Sequence, residues 1–227
     1  MTLGAEITVV GGGTGALGRA CVERLVGEGR RVVVPVRHGD RAALPDTVQI
    51  IGCDLSVAAD VDRFGAEVTA LGRWTALVNC SGGYAGGTAH ETSDESMLEQ
   101  LELNLLGPWR LARAAARAMI QAGGGQIVNI AGRAAVDPSP GQAAYQLAKT
   151  AMARLTQVMA MELRDHGITV NAVLPSTMDT PANRAAMPSA DHSRWVPVAD
   201  VAGTVSWLLS PDAGIVSGAL LPAYGRS

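Results

Sequence analysis

The stretch ITVVGGGTGALG, residues 7–18, decides the fold, because a β-rich run passes directly into a glycine-rich turn and then into a helical pattern. Glycines at such a junction permit a tight turn and let the pyrophosphate of a dinucleotide approach the backbone. The helix that follows begins with free N–H groups and a partial positive charge, which attract phosphate. A flexible turn without a ligand is the alternative, but the strand–turn–helix context favours a dinucleotide site. The candidate binding residues are Gly12, Thr14, Gly15, Ala16, Leu17 and Gly18.

Strand and helix patterns alternate along the rest of the chain, which is typical of β-α-β units. We predict strands at 7–10, 31–36, 48–52, 76–79, 126–130, 168–174 and 219–222, and helices at 16–27, 60–72, 94–105, 108–121, 142–165 and 198–209. The predicted fold is α/β: a single-domain, Rossmann-like, doubly wound parallel sheet with helices on both faces. Residues 1–227 form one domain, and the weakly periodic segment at about 176–197 is predicted to be a substrate loop.

Composition narrows the class of protein. The chain has 227 residues, of which 48% are hydrophobic and 17% charged, so it is long and apolar enough to build a core. A net charge of −3 without a basic block argues against nucleic acid or an anionic membrane as a partner. No apolar run approaches the roughly 18 residues of a membrane span. The three scattered cysteines form no C-x-x-C pair, and the histidines have no metal-ligand spacing, so we expect a reduced, cytoplasmic protein without a metal.

Two positions after predicted strands bear on the cofactor. An acidic residue at the end of the second strand binds the ribose of NAD, whereas an arginine pairs with the 2′-phosphate of NADP. Arg37 stands there, so we predict a preference for NADP(H), with NAD(H) possible; a solvated strand-end arginine is the alternative. Asp54, after the third strand, is predicted either to accept a hydrogen bond from the adenine amino group or to cap the next helix.

Tyr145 and Lys149 are four residues apart in a predicted helix, and therefore share one face of it. A lysine ammonium near a tyrosine stabilises the phenolate and lowers the tyrosine pKa from about 10 towards neutral pH, where it can act as an acid. The pair also occurs by chance as an aromatic residue beside a solvated charge. Its meaning depends on the cofactor site around it.

Taken in order, these motifs resemble those of the short-chain dehydrogenase/reductase family. The resemblance rests on the glycine-rich turn, Asp54-Leu55, Asn79 to Gly82, Asn104, Tyr145 with Lys149, and the segment NAVLPSTMDTP at 171–181. It implies a hydride transfer with Tyr145 as the acid, Lys149 on the nicotinamide ribose, and Asn104 supporting a water beside that lysine. A solvent-facing helix position is the alternative for Asn104. The further cofactor contacts that the resemblance implies are Leu55, Asn79, Ser81, Gly82, Pro175, Thr177 and Thr180.

Within that family, the stretches GGGTGALG (11–18), SGGYAGGTA (81–89) and LPSTMDTPANRAAMPSADHSRW (174–195) resemble the dihydropteridine reductase branch. This resemblance implies a quinonoid dihydropterin as the small-molecule substrate. There are departures from the family pattern: Ala16 replaces a glycine, and Gly132 replaces the usual serine thirteen residues before Tyr145. A conjugated ring depends less on a second hydroxyl donor than a ketone does. Two alternatives stay open: a carbonyl reductase or alcohol dehydrogenase that uses Ser139 or Ser176, and a non-catalytic dinucleotide-binding redox sensor.

The remaining predictions concern substrate and subunit contacts. Tyr84 and Trp195 are predicted to contact the substrate together with Gly132, with loop packing or a core or interface position as the alternatives for the two aromatic rings. The predicted helix at 108–121 carries Arg110, Arg113 and Arg117 on a stripe that we expect to be solvated. Its alanine-rich face, with that of the helix at 142–165, suits close helix packing, and the resemblance implies a homodimer or homotetramer through these helices.

Overall fold

A parallel sheet runs through the centre of the computed structural model, which describes residues 5–37 and 44–226. The strands are β1 (Glu6–Gly11), β2 (Arg31–Val36), β3 (Gln49–Gly52), β4 (Arg73–Asn79), β5 (Gly125–Ile130), β6 (Ile168–Pro175), β7 (Met178–Asp179), β8 (Val196–Pro197) and β9 (Leu220–Ala223). The α-helices are α1 (Ala16–Gly27), α2 (Ala58–Leu71), α3 (Asp94–Leu101), α4 (Gly107–Ala122), α5 (Ala143–Glu162), α6 (Pro181–Ala186) and α7 (Val198–Leu208).

The main sheet has the order β3-β2-β1-β4-β5-β6-β9, and every pairing in it is parallel. Its central strands are apolar along nearly their whole length because both faces of the sheet are covered. Val9, for example, lies opposite Val33 on one side and Leu77 on the other. The predicted doubly wound α/β fold is confirmed.

Successive residues of the strands enter two separate cores, one on each face of the sheet. Val9 packs with residues of α2, α4 and α5, including Phe64 and Leu111, whereas Val10 packs with residues of α1 and α7, including Leu25 and Val205. This alternation fixes the strands in register, because a slip of one residue exchanges the two faces. None of the helices in the described part of the chain is long and apolar enough to cross a bilayer.

The predicted break between the helices at 94–105 and 108–121 is absent. A π-helical turn at Glu102–Leu106 joins α3 to α4, and the Gly107 amide donates to the Glu102 carbonyl five residues earlier. Pro108, the first residue of the second predicted helix, lies at the start of α4, where its missing N–H is tolerated. The helix therefore continues through the proline and carries one extra residue in the turn before it.

The segment at 176–197, predicted to be irregular, contains short regular elements. The strands β7 and β8 pair in parallel, with Met178 opposite Val196, and α6 lies between them along the chain. The α6 helix begins where the Thr180 hydroxyl accepts a hydrogen bond from the Asn183 amide. Elements this short leave no long hydrophobic period in the sequence, which is why they escaped prediction.

Phe64 of α2 and Trp74 of β4 are fully buried and meet edge to face, with ring centroids 6.0 Å apart. We expect Phe64→Ala to lower the free energy of unfolding by about 3–5 kcal/mol, because it opens a cavity in a packed core. Urea unfolding followed by tryptophan fluorescence measures the change. The control, Trp207→Ala on the half-exposed side of α7, is expected to cost less than about 1.5 kcal/mol; equal losses would contradict the assignment of Phe64 to the core.

Candidate active site

The glycine-rich turn packs directly against the backbone that leaves β4. Gly12 has φ +70°, and a Cβ atom at this position would lie 2.6 Å from the Ser81 amide nitrogen. A Cβ atom at Gly18 would lie 2.0 Å from the Gly12 carbonyl oxygen. Only glycine fits at these two positions, because α1 folds back onto the turn that precedes it.

The start of α1 fits a phosphate. Gly15 is the N-cap residue and provides no side chain to accept a hydrogen bond from the N–H groups of this helix start. Gly15 and Ala16 are exposed, whereas Leu17 and Gly18 are buried under the turn. The loop itself is held by Arg19, whose Nε donates to the Thr14 carbonyl at 2.8 Å. A dinucleotide pyrophosphate can therefore reach free backbone donors at a positive helix end.

Asn79, at the end of β4, joins three elements. Its Nδ2 donates to the Pro108 carbonyl at 3.1 Å and to Asn129 Oδ1 at 2.9 Å, and Asn129 in turn donates to the Thr156 hydroxyl. Asn79 Oδ1 is buried and accepts no hydrogen bond from the described residues. A Cβ atom at Gly11 would lie 3.3 Å from this oxygen, so it faces the glycine-rich turn. Its predicted place beside the cofactor loop agrees with this geometry.

The two residues predicted to lie near the adenosine, Arg37 and Asp54, follow the paired strands β2 and β3. Arg37 is exposed directly after β2. The Asp54 carboxylate accepts hydrogen bonds from the Ser56 amide at 2.9 Å and the Ser56 hydroxyl at 2.7 Å, and so organises the turn before α2. The N-cap residue of α2 is Val57, so the predicted capping role of Asp54 is wrong in detail. Leu55 follows in the same turn and packs near Gly107.

Tyr145 and Lys149 lie on one face of α5, as predicted, and a second tyrosine joins them. The Tyr84 ring meets the Tyr145 ring edge to face at 5.2 Å, although 66% of Tyr84 is exposed. Lys149 Nζ is 5.8 Å from the centre of the Tyr145 ring and donates to the Ile130 carbonyl at 3.0 Å. A Cβ atom at Gly132 would lie 3.5 Å from the Tyr145 hydroxyl oxygen. Four predicted site residues are thus brought together.

Burial sets the electrostatics of this group. It raises the pKa of Tyr145, with a further contribution from Tyr84, and it lowers the pKa of Lys149 to about 8. The sequence predicted the opposite direction for Tyr145. The difference arises because burial sets the direction of the Tyr145 pKa shift, while the Lys149 ammonium group donates to the Ile130 carbonyl.

Asn104 lies inside the π-helical turn and is buried, so the solvent-facing alternative is wrong. Its Oδ1 accepts from the Gly83 amide at 3.1 Å, and its Nδ2 donates to the Gly83 carbonyl at 3.0 Å and to Gln100 Oε1 at 3.1 Å. A Cβ atom at Gly82 would lie 2.8 Å from Asn104 Oδ1 and 3.2 Å from Lys149 Nζ. A side chain at position 82 would therefore crowd both the Asn104 amide and the Lys149 ammonium group.

Gln100 is a site residue that the sequence interpretation missed. It is buried one helical turn before Asn104 and accepts a hydrogen bond from its side chain. The spacing of four residues between the glutamine and the asparagine could have predicted this contact.

Gly132 has φ +141°, a conformation that residues with a side chain rarely adopt. The backbone there suits glycine and not the serine that stands at this position in the family pattern. Ser176 donates its hydroxyl proton to the Tyr224 carbonyl at 2.9 Å. Ser139 is exposed and accepts hydrogen bonds from Gln142 and, at 3.1 Å, from Gln146.

Three predicted cofactor residues, Pro175, Thr177 and Thr180, lie at the end of β6 and just after it. The Pro175 carbonyl would lie 3.8 Å from a Cβ atom at Gly132, and the Thr177 carbonyl accepts from the Val196 amide. The Thr180 hydroxyl caps α6. The half-buried Trp195 ring lies 4.3 Å from the His192 ring, and its contact with a substrate stays a prediction. Within residues 5–37 and 44–226, no group of three or more His, Cys, Asp or Glu side chains could hold a metal ion.

Comparison with known proteins gives consistent matches. The family model described as short chain dehydrogenase matches residues 6–191. Galactitol 2-dehydrogenase of Rhizobium johnstonii is 34% identical over 241 residues, which cover 96% of this chain and 93% of that protein. The 3-oxoacyl-[acyl-carrier-protein] reductase of Homo sapiens is 33% identical over 181 residues, covering 77% of this chain and 76% of that protein.

Solved structures agree with these sequence matches. A short-chain type dehydrogenase/reductase from Mycobacterium ulcerans superposes with a TM-score of 0.91 at 27% identity, covering 100% of this chain and 90% of that chain. An actinorhodin polyketide ketoreductase with NADPH superposes with a TM-score of 0.88 at 28% identity, covering 97% and 96%.

Lys149 is the only lysine in the chain, so its amine can be observed alone. In protein labelled at the lysine ε-position, we expect the NMR signal to titrate with a midpoint near pH 8, and near 10.5 in urea. A native midpoint at or above 10.5 would contradict the burial of this amine.

The same shift links stability to pH. Between about pH 8 and 10.5 the unfolded chain binds a proton at Lys149 that the folded chain lacks, so stability rises with pH across this window. The Lys149→Met variant lacks this contribution. Its stability relative to the wild type is therefore expected to fall by about 3 kcal/mol between pH 7 and pH 10.5.

Proposed function

The chain belongs to the short-chain dehydrogenase/reductase family of NAD(P)-dependent oxidoreductases, and we propose that it uses NADPH to reduce a small conjugated ring, best represented by a quinonoid dihydropterin. Its family membership makes it an enzyme, so the non-catalytic sensor is not retained. The preference for a conjugated ring rests on one observation, the glycine conformation at position 132.

Gly132 provides no hydroxyl beside Tyr145. A ketone that accepts hydride develops a localised negative charge on oxygen, and losing one donor to such an oxyanion typically costs about 10²–10³ in rate. A quinonoid ring spreads the incoming electron pair over ring nitrogens and a carbonyl group. It therefore needs the second donor less, and a φ of +141° at Gly132 disfavours the return of a serine.

The two tyrosines suit a flat substrate. Tyr84 is largely exposed at the edge of the site and presents its ring beside Tyr145. A planar heterocycle can stack on such a ring and gain both apolar contact and a defined orientation. The Tyr145 hydroxyl then lies at the edge of the substrate, where it delivers the proton that accompanies the hydride.

The bound nicotinamide cofactor supplies the hydride. The turn at Gly12–Gly18 and the start of α1 would hold its pyrophosphate, and Lys149 would hold its nicotinamide ribose. Asn104 keeps the Gly83 backbone in place beside that lysine. We assign the preference for NADPH to Arg37, because an exposed guanidinium directly after β2 can pair with a 2′-phosphate.

A carbonyl reductase or alcohol dehydrogenase is the second candidate. The relatives named above are dehydrogenases and ketoreductases of polyols and acyl or polyketide groups, not pterin reductases. In this case an exposed hydroxyl has to replace the serine, and Ser139, near the start of α5, is the available one. The two candidates differ in substrate and share the cofactor and Tyr145.

We also propose self-association and a cytoplasmic location. Leu147, Val158 and Met161 form an exposed apolar stripe on one side of α5, which the exposed Arg154 interrupts. A homodimer or homotetramer that pairs this stripe with α4 or α5 of a second copy buries it. The free thiols of Cys21, Cys53 and Cys80 suit a reducing compartment.

The loss of NADPH absorbance on addition of freshly generated quinonoid dihydropterin tests the substrate proposal, with the rate without protein subtracted. We expect turnover with the pterin to exceed both the reduction of 3-oxoacyl esters by NADPH and the oxidation of polyols by NADP⁺, which is followed as a gain of NADPH absorbance. Tyr145→Phe is expected to lower kcat by about 10²–10⁴, because it removes the acid. Faster turnover of a ketone or polyol would instead select the carbonyl reductase.

The proposed role of Arg37 predicts a change of cofactor in one substitution. Arg37→Glu is expected to raise the KM for NADPH by about 10–100-fold, since a charge-assisted hydrogen bond is worth about 1.5–3 kcal/mol. The KM for NADH should change little or fall. Arg164→Glu, an exposed charge before β6 at the opposite edge of the sheet, is the control; equal effects of the two substitutions would refute a specific phosphate contact.

A further inference from the structure

Arg110 differs from the two arginines with which it shares the predicted solvated stripe. Its side chain is only 16% exposed, whereas that of Arg117 is 67% exposed and that of Arg113 stacks over the Trp109 ring. The prediction is therefore wrong for Arg110. A guanidinium this well covered needs partners, and the structure supplies three oxygen atoms.

Those partners belong to two different parts of the site. Both terminal nitrogens donate to the Glu102 carboxylate, with Nη2 at 3.2 Å from Oε2, and Nη1 also donates to the Leu55 carbonyl at 3.1 Å. Glu102 is the first residue of the π-helical turn that contains Asn104. Leu55 lies in the turn at the adenine end of the predicted cofactor site. The Arg110 side chain thus connects the π-helical turn with the turn at Leu55.

The π-helical turn depends on such support. Its hydrogen bond from the Gly107 amide to the Glu102 carbonyl closes a wider ring than that of an α-helix, and single π turns persist where tertiary contacts hold them. A relaxation to α-helical register rotates the following residues by about one position, or about 100°, around the axis. Asn104 then leaves the Gly83 backbone.

We propose that Arg110 is a positioning residue, which fixes the π-helical turn so that Asn104 stays bonded to Gly83 beside Lys149, and which ties this arrangement to Leu55 at the adenine end. It touches neither the substrate nor the reacting atoms. Its effect on turnover rests on the proposed function, but its effect on Asn104 does not.

The electrostatics favour a fixed geometry. The guanidinium and carboxylate form a two-pronged pair that is partly withdrawn from water, so it is less screened than a surface pair. When Arg110 is removed, the Glu102 carboxylate loses its partner, and turning towards water lowers its free energy. Because Glu102 begins the π turn, this movement loosens the turn at its first residue.

Amide hydrogen exchange at Gly83 gives a direct test that needs no substrate. The Gly83 amide is protected by Asn104 Oδ1, so in Arg110→Met its exchange should accelerate by about tenfold or more. Arg117→Met, an equal change on the solvated side of the same helix, is the control and should leave this amide unchanged. Glu102→Gln, which keeps two hydrogen-bonding groups but removes the charge, should give an intermediate rate.

Kinetics provide the second readout. In Arg110→Met, kcat should fall by about 10–100-fold while the Kd of NADPH, measured by fluorescence, rises by less than about fivefold, since a displaced positioning group affects the reaction more than binding. The pH at which kcat is half-maximal should also shift, because Asn104 borders Lys149. Arg110→Lys keeps the positive charge but cannot form the paired hydrogen bonds of a guanidinium group. Its kcat should therefore lie between those of the wild type and Arg110→Met.

Two outcomes overturn the proposal. A lower melting temperature for Arg110→Met with unchanged Gly83 exchange makes the pair a purely structural ion pair. If exchange of the Gly83 amide accelerates in Arg110→Met while kcat and its pH profile stay unchanged, Arg110 has no effect on the reaction. If the wild type turns over no substrate offered, the proposed function fails, and the exchange experiment still decides whether Arg110 holds Asn104.

Discussion

The close approach of the glycine-rich turn to the end of β4 is the constraint on which the other features depend. A side chain at Gly12 would collide with the Ser81 backbone, and one at Gly18 would collide with the turn itself. With glycine at both positions, α1 starts directly above the carboxyl edge of the sheet. The free amides of its first turn then face the same space as the residues that follow β4 and β5.

At that edge, contacts between elements hold the residues around Tyr145 in place. The segment after β4 continues through Gly82 and Gly83 to Tyr84, and each of the three meets a neighbour from another element. Asn104 holds the Gly83 backbone, and Tyr84 leans on Tyr145 of α5. The site is therefore organised before any ligand arrives, which lowers the entropy cost of binding and of reaction.

Burial controls the proton chemistry of this site more than local charge does. The chain has seventeen arginines and one lysine, and the lysine is the buried residue at the site. An arginine there would stay charged at any accessible pH, whereas the amine of Lys149 can have its pKa lowered to about 8. The single lysine thus lies beside Tyr145, where a change in its protonation alters the charge at the site.

Hydrophobic period and local spacing are enough to predict the parallel α/β sheet, most element bounds, the glycine turn and the shared helix face of Tyr145 and Lys149. The π-helical turn around Asn104, the burial of Arg110 and the positive φ of Gly132 become apparent only in the folded chain. Each of these involves atoms that are distant in sequence: Leu55 for Arg110, Gly83 for Asn104, and Tyr145 with Pro175 for Gly132. The direction of the Tyr145 pKa shift also required the fold, since spacing gives proximity to a charge but says nothing of how much water the packed chain removes.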